Sequence, residues 1–344
     1  MPRELILVAP RKLVVREYKE RPLRPNEVRI RSVLSAEKHG TMLAFYRGTA
    51  PFLEKYYDPE LGLFLEKRER RGVYPMHVGN MTVGTIVEVG EGVKRFKVGD
   101  RVFGYLPIRE THTVPEDEVW PAPPELSDEE LVCVDPAVVA LMAVREGMVR
   151  LGDTVVVFGL GAIGLMTVQM AKLSGALTVI GVDPLERRRR LAEEYGADVT
   201  LDPYECDVGL EVRRYVPKGV DVAIEASGSY QALHQAIRTT RWGGRVVPVS
   251  WYQGEARGLF LGEEFHHNRL LLISGARIES EPYREYPLWD RERVYDTVLE
   301  LFKRRRLTVR GLLHPVVEFE EAVEAYRLID EHPEEVVKLG VRYD

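Results

Sequence analysis

Two short stretches hold residues whose types and spacing could do chemistry. Gly159-Leu160-Gly161-Ala162-Ile163-Gly164 matches G-x-G-x-x-G. Alone that pattern is weak, but it follows the apolar run VVVF and opens a helical stretch, which is the context its chemistry requires. Gly159 permits a tight turn, Gly161 lets the backbone approach a pyrophosphate, and Gly164 lets the helix pack on the strand. The helix N-terminus offers N–H groups and a positive dipole end to phosphates. Asp183 ends the next apolar strand, 24 residues past Gly159. An acid there can accept hydrogen bonds from a ribose diol and would repel a 2′-phosphate, so NAD is expected over NADP. Arg187 and Arg188 temper this, since an arginine beyond the acid could pair with a phosphate; Arg188 could instead lie over the adenine. Ser227, Ser250, Ser274 and Ala276 complete the expected cofactor contacts. The bland alternative is a glycine turn with no nucleotide.

The second stretch is KHGTMLAFYRG, Lys38 to Gly48. His39, Gly40 and Thr41 lead into a helical run in the outline of a metal-binding turn. A histidine with a reference pKa near 6.5 suits reversible proton transfer at neutral pH. It is also compatible with an inert, hydrogen-bonded filler. Thr41 could be a helix N-cap. Lys38 could polarise a substrate oxygen or be a solvated loop lysine. Asp135, just before Pro136, could orient His39, bind substrate hydroxyls, or cap the following helix.

These residues need elements to hold them. With 344 residues the chain is natural for two domains. The first ~130 residues read as short strands and turns, among them VRIRSVLSA and the strand–turn–strand run from Met81 to Tyr105. Ser127 and Glu130 stand in capping-box positions. The middle alternates strands and helices, which means βαβ units and a parallel sheet; LLLISGARI is its expected last strand. Two amphipathic helices and the closing strand VVKLGVRY follow. No apolar run reaches the ~18 residues that would span a bilayer, and MPRELILVAPRKL lacks the features of a signal peptide. A soluble cytoplasmic protein is expected, with no membrane partner. Net charge is −6, which argues against a nucleic-acid binder. The basic runs Arg187–Arg190 and Lys303–Arg306 read as solvated helix faces. Cys133 and Cys206, the only two cysteines, cannot build a four-cysteine zinc lobe.

The order of these markers resembles the medium-chain dehydrogenase/reductase superfamily: HGTMLAFYRG, YPMHVGNMTVGTIVEVG, KRFKVGDRV, DPAVVALMAV and GLGAIG, over essentially the full chain. The resemblance implies an α/β architecture: a GroES-like β-rich catalytic domain formed by residues 1–134 and a return at 277–344, around a Rossmann doubly wound parallel sheet at 135–276. Zinc members carry C-G-T-D-x-H-x-Y-x-G in the first marker. Here His39 stands for the cysteine, and Met42 and Ala44 for the acid and histidine. The family's G-H-E is Gly79-Asn80-Met81, and its E-P-x is Asp135-Pro136-Ala137. Asn80 and Met81 are poor zinc ligands. His77 could face away from Asn80. The chain therefore looks like a zinc-independent member, with no metal expected.

Without zinc to stabilise an alkoxide, side chains must take the proton and hold the oxygen. His39 is the first choice, Thr41 keeps the family's relay hydroxyl, and Asn80 could hydrogen-bond the substrate oxygen. The long stretch from Pro51 to Pro75 could wall a polar pocket with Tyr56, Tyr57, Phe64 and Tyr74. Trp251, Tyr252, His266, His267 and Trp289 could contribute as well. The expected activity is NAD(H)-dependent transfer of hydride between the cofactor and a secondary alcohol or ketone, such as a sugar, cyclitol or other polyol. Alternatives are an NADPH-type quinone or enoyl reductase, which Asp183 opposes, and a non-catalytic NAD(H)-binding protein. By the same resemblance a homodimer or homotetramer is expected, joined around residues 270–278.

Overall fold

The computed structural model describes residues 1–67, 72–275 and 289–344. The chain divides into two compact units, Met1–Val132 with Leu313–Asp344, and Cys133–Leu312. The first unit opens with the antiparallel pair β1 (Arg3–Ala9) and β2 (Lys12–Glu17). Next comes β3 (Glu27–Ala36), whose apolar–polar alternation buries Val28, Ile30 and Leu34 on one face. It runs into α1 (His39–Arg47), which buries Met42, Ala44 and Tyr46. A separate hairpin, β4 (Lys55–Asp58) and β5 (Leu63–Glu66), follows. Then come β6 (Met76–His77), β7 (Met81–Val89), β8 (Arg101–Gly104), β9 (Thr111–Pro115), β10 (Val119–Pro121) and the short α2 (Asp128–Val132). The capping box forms: Ser127 N–H donates to Glu130 Oε2 at 2.8 Å, and Glu130 N–H donates to Ser127 Oγ at 3.2 Å.

The second unit begins with α3 (Val134–Glu146). Its units are β11 (Thr154–Phe158), α4 (Ala162–Leu173), β12 (Thr178–Val182), α5 (Glu186–Glu194), β13 (Val199–Leu201), α6 (Val208–Tyr215), β14 (Val220–Glu225), α7 (Tyr230–Thr239) and β15 (Thr240–Pro248). It closes with α8 (Glu264–His267), β16 (Leu271–Leu272) and α9 (Arg291–Lys303). All strand pairs are parallel, in the order β13-β12-β11-β14-β15-β16. This is a doubly wound sheet whose order reverses between β11 and β14, where such sheets bind ligands. Of the apolar run expected as the last strand, Leu271 and Leu272 form β16, and the N–H groups of Ile273 and Gly275 donate to Val246 O and Pro248 O of β15.

The chain then returns to the first unit as β17 (Val316–Glu318), α10 (Ala322–Glu331) and β18 (Gly340–Arg342). Antiparallel pairing of β18 with β3 sets Gly340 opposite Ala36 and Val341 opposite Ser35. One apolar cluster joins Leu5, Met42, Tyr46, Phe319, Tyr326 and Leu339, so both chain ends share a core. Burying a side chain of this size is worth about 1.5–3 kcal/mol. The return starts at Leu313, later than the expected 277. The reason is α9, whose stripe of Val294, Val298 and Phe302 is buried and packs on α3 in the second unit.

The arginine run on α5 is only partly a solvated face. Arg190 is exposed, but the side chains of Arg188 and Arg189 keep only 20% and 17% of their surface and face Asp183 and Asp202.

Candidate active site

The nucleotide-type motif lies at the end of β11, with α4 starting at Ala162. Gly159 has φ of +80°, and a Cβ there would stand 2.6 Å from Ser227 N. The turn after β11 therefore touches the turn after β14 at the sheet's reversal point. A Cβ on Gly164 would meet Gly159 O at 1.9 Å, so this glycine lets the helix close on its own turn. Gly161 differs: a Cβ there meets nothing within 4 Å. Open space in front of the first turn of a 12-residue helix is what a pyrophosphate needs. Leu160 is fully buried, while Ala162 and Ile163 are half-buried on the first turn of α4.

Asp183 follows β12 and is 3% exposed. Its Oδ2 accepts Leu160 N–H at 2.7 Å and its Oδ1 accepts Leu185 N–H at 2.9 Å. The acid thus braces the glycine turn, and each oxygen retains a lone pair for a hydroxyl. Arg188 Nη1 lies 3.8 Å from Asp183 Oδ2, and burial lowers the arginine's pKa. Ser227 is exposed at the β14 end, and Ser250 lies against the neighbouring turn at Gly228. Ser274 is exposed past β16; Ala276 lies outside the described residues.

Sequence reasoning missed Glu225, the last residue of β14. It is fully buried, and burial raises its pKa. It accepts N–H bonds from Ser227 at 2.7 Å and Gly228 at 3.1 Å, and hydroxyl bonds from Ser227 and Tyr252. It holds the turn that faces Gly159. The available signal was an acid ending the apolar strand DVAIE just before a glycine turn. Tyr252 is thereby a brace for Glu225.

In the first unit, His39 is the first residue of α1, with Lys38 as N-cap. Thr41 therefore lies inside the first turn and is not the N-cap. His39 Nε2 accepts the backbone N–H of Leu339 at 3.0 Å. An amide N–H can only donate, so this nitrogen carries no proton and the neutral ring bears its hydrogen on Nδ1. Asn80 N–H donates to Ala36 O at 3.0 Å, which sets residue 80 beside the end of β3. The Asn80 Nδ2 group is buried without a hydrogen-bond partner among the described residues. Lys38 is half-buried. His77 points elsewhere, to Glu4 Oε2 at 3.0 Å. In the second unit, Asp135 is 2% exposed in the first turn of α3, one residue inside the helix, so it is not the cap.

This donor set does not fit zinc. His39 has one ring nitrogen committed to a main-chain N–H, Asn80 offers an amide, and Met81 is wholly buried in β7. Among the described residues, the groups of His, Cys, Asp or Glu close enough to share an ion are His234–Glu263–Glu264 and His332–Glu334–Glu335, and neither includes His39 or Asp135.

Tyr56, Tyr57 and Phe64 are exposed on the β4–β5 hairpin, with the Phe64 ring tilted against Tyr57 at 5.4 Å between centroids. Tyr74 does not join them; its hydroxyl donates to Phe45 O at 2.5 Å. Trp289 lies under Arg145 and Arg293, and His266 and His267 are exposed.

Both units of the chain are similar to known proteins. Residues 25–123 match the alcohol dehydrogenase GroES-like domain, and residues 162–289 match the zinc-binding dehydrogenase family. The chain is 39% identical over 350 residues to D-guloside 3-dehydrogenase of Escherichia coli (strain K12), covering 99% of this chain and 100% of the relative. It is 31% identical over 279 residues to (R,R)-butanediol dehydrogenase of Bacillus subtilis (strain 168), covering 73% and 76%. The crystal structure of 2R,3R-butanediol dehydrogenase from Bacillus subtilis superposes with a TM-score of 0.80 at 26% identity, over 100% of both chains. The chain belongs to the zinc-type alcohol/polyol dehydrogenase family of the medium-chain dehydrogenases/reductases.

Proposed function

We propose that this protein transfers hydride between NAD(H) and a secondary alcohol or its ketone without zinc, on a glycoside, sugar or other polyol. The carrying observation is the pairing of Asp183 with the open face at Gly161. The buried acid would take the ribose hydroxyls and repel a 2′-phosphate, while the start of α4 would hold the pyrophosphate. Bound there, the nicotinamide would supply a hydride acceptor or donor. The same acid disfavours the NADPH-type reductase reading. The polyol or glycoside class rests on the relatives, among them the D-guloside enzyme.

The hydroxyl proton needs an acceptor. His39 suits that role poorly, because protonating Nε2 would set two donors against each other at Leu339. It is better suited to donate from Nδ1 to the substrate oxygen, where charge develops. Asn80, with its buried and unpartnered Nδ2, would add a second donor. That leaves Thr41 as relay for the proton, with Lys38 to polarise the substrate oxygen.

The exposed Leu271 and Leu272 on the edge strand β16 support a dimer joined through sheet edges. No helix among the described residues is long and apolar enough to cross a membrane; a cytoplasmic location is proposed. Turnover of a panel of glycosides and polyols with NAD and with NADP tests the function. Reduction of NAD by at least one of them, with NADP much poorer, is expected. Tight NAD binding with no hydride transfer would favour the non-catalytic alternative.

A further inference from the structure

A buried carboxyl that the proposed chemistry does not use lies directly behind the His39 turn. Glu37 is 1% exposed, at the step from β3 into α1. Its Oε1 accepts Lys38 N–H at 2.7 Å, and the Gly79 N–H is turned toward the same carboxyl. Its main chain is held as tightly. Glu37 N–H donates to Leu339 O at 3.1 Å, and Lys338 Nζ donates to Glu37 O at 2.5 Å. Leu339 then donates its own N–H to His39 Nε2. Lys338 is 3% exposed and Tyr326, from α10, is fully buried. The Tyr326 hydroxyl faces Glu37, and neither it nor Glu37 Oε2 completes a hydrogen bond among the described residues.

A carboxyl costs free energy to bury, so its neighbours must repay it with directed bonds. Here the carboxyl's bonds run to the turn carrying Lys38 and His39 and to the turn carrying Gly79 and Asn80, while the Glu37 main chain bonds the C-terminal return. Those are the two turns that hold the proposed donors and the segment that fixes the tautomer of one of them. We propose that Glu37 is a positioning residue: its carboxyl ties the Lys38 turn to the Gly79 turn, against the return that its main chain holds, and so keeps His39 in the form that donates from Nδ1. The return supplies two neighbours: Lys338, bonded to the Glu37 main-chain oxygen, and Tyr326, whose hydroxyl faces the carboxyl. The proposal rests on the dehydrogenase reading for its kinetic consequence but not for its structural one.

The test compares Glu37→Gln, which keeps an acceptor for the Lys38 N–H, with Glu37→Leu, which removes it. Two properties are read in the full chain. The first is kcat per NAD-binding site. The second is the protonation of the His39 ring nitrogens, by NMR on histidine labelled with 15N and assigned with His39→Ala. In the parent and in Glu37→Gln, His39 should carry its proton on Nδ1 alone, and the Gln variant should keep kcat within about threefold. In Glu37→Leu the two tautomers should mix, and kcat should fall about tenfold or more with NAD affinity unchanged, as expected when reacting groups are misplaced. Normalising to NAD-binding sites separates misplacement from loss of folded protein. An Nδ1–H ring and parent kcat in Glu37→Leu would overturn the proposal, as would an Nε2–H ring in the parent. If no substrate turns over, the dehydrogenase reading fails, and the nitrogen spectra still decide the role of Glu37.

Discussion

Replacing Glu37 by Gln should flatten the pH dependence of the first unit's stability. Burial raises the Glu37 pKa from 4.5 to about 7, against the Lys38 N–H and the Lys338 charge, which lower it. The folded state therefore favours the protonated acid. Between these two values the unfolded chain has released the proton while the folded chain keeps it, so stability is fully present below about pH 4.5 and is lost as pH rises through about 7. At about 1.4 kcal/mol per pH unit the loss amounts to ~3 kcal/mol. For a unit of this size, 1 kcal/mol moves Tm by about 2–4 °C. The parent should then lose ~6–12 °C between pH 4.5 and 8 from this group alone, and Glu37→Gln should not. Other groups titrate in the same window. His112, 3% exposed, is held down to about 3 by burial and by the charge of Arg109, so its contribution rises from about pH 3 and is complete near pH 6.5. That contribution has the opposite sign and is common to both proteins, so it cancels in their difference. Calorimetric scans from pH 4.5 to 8 supply the measurement. Parallel Tm curves for parent and variant would refute the buried-acid reasoning.

Three further outcomes follow from the site. Gly161→Ala meets no protein atom within 4 Å, so its thermal transition should match the parent while NAD affinity falls about tenfold; tight NAD binding would show that nothing docks at that face. Asp183→Asn loses a charged acceptor worth about 1.5–3 kcal/mol, and should weaken NAD at least tenfold while leaving NADP nearly unaffected; equal weakening of both would show that the acid only braces Leu160 N–H. His39→Ala should lower kcat about 10²-fold, as for loss of one oxyanion donor, with NAD affinity unchanged; an unchanged rate would make the ring a filler bonded to Leu339.

What the chain spells out locally was readable from it. The glycine turn, its flanking strands and Asp183 lie within a few dozen residues, and their periodicities imply a βαβ unit before any coordinates are known. What failed to show was long-range. His39 meets Leu339 from the far end of the chain, and no spacing rule reports which ring nitrogen such a contact consumes. Glu37 and Glu225 sit at the ends of apolar strands, where a single acid reads as a surface residue until its burial is known. The amphipathic stripe of α9 shows that a face is buried but not which unit buries it, and the return was therefore placed too early. Thr41 and Asp135 could each have been caps by residue type, but helix starts are uncertain by a residue or two, and both lie inside their helices.

Hydride transfer without a metal can be measured directly. The protein would be stripped with a strong chelator, its metal content checked by mass spectrometry, and its initial rate of NAD reduction followed with a glycoside or polyol substrate. Less than one metal ion per ten chains and an undiminished rate are expected. A rate lost on stripping and restored by stoichiometric zinc would contradict hydride transfer without a metal.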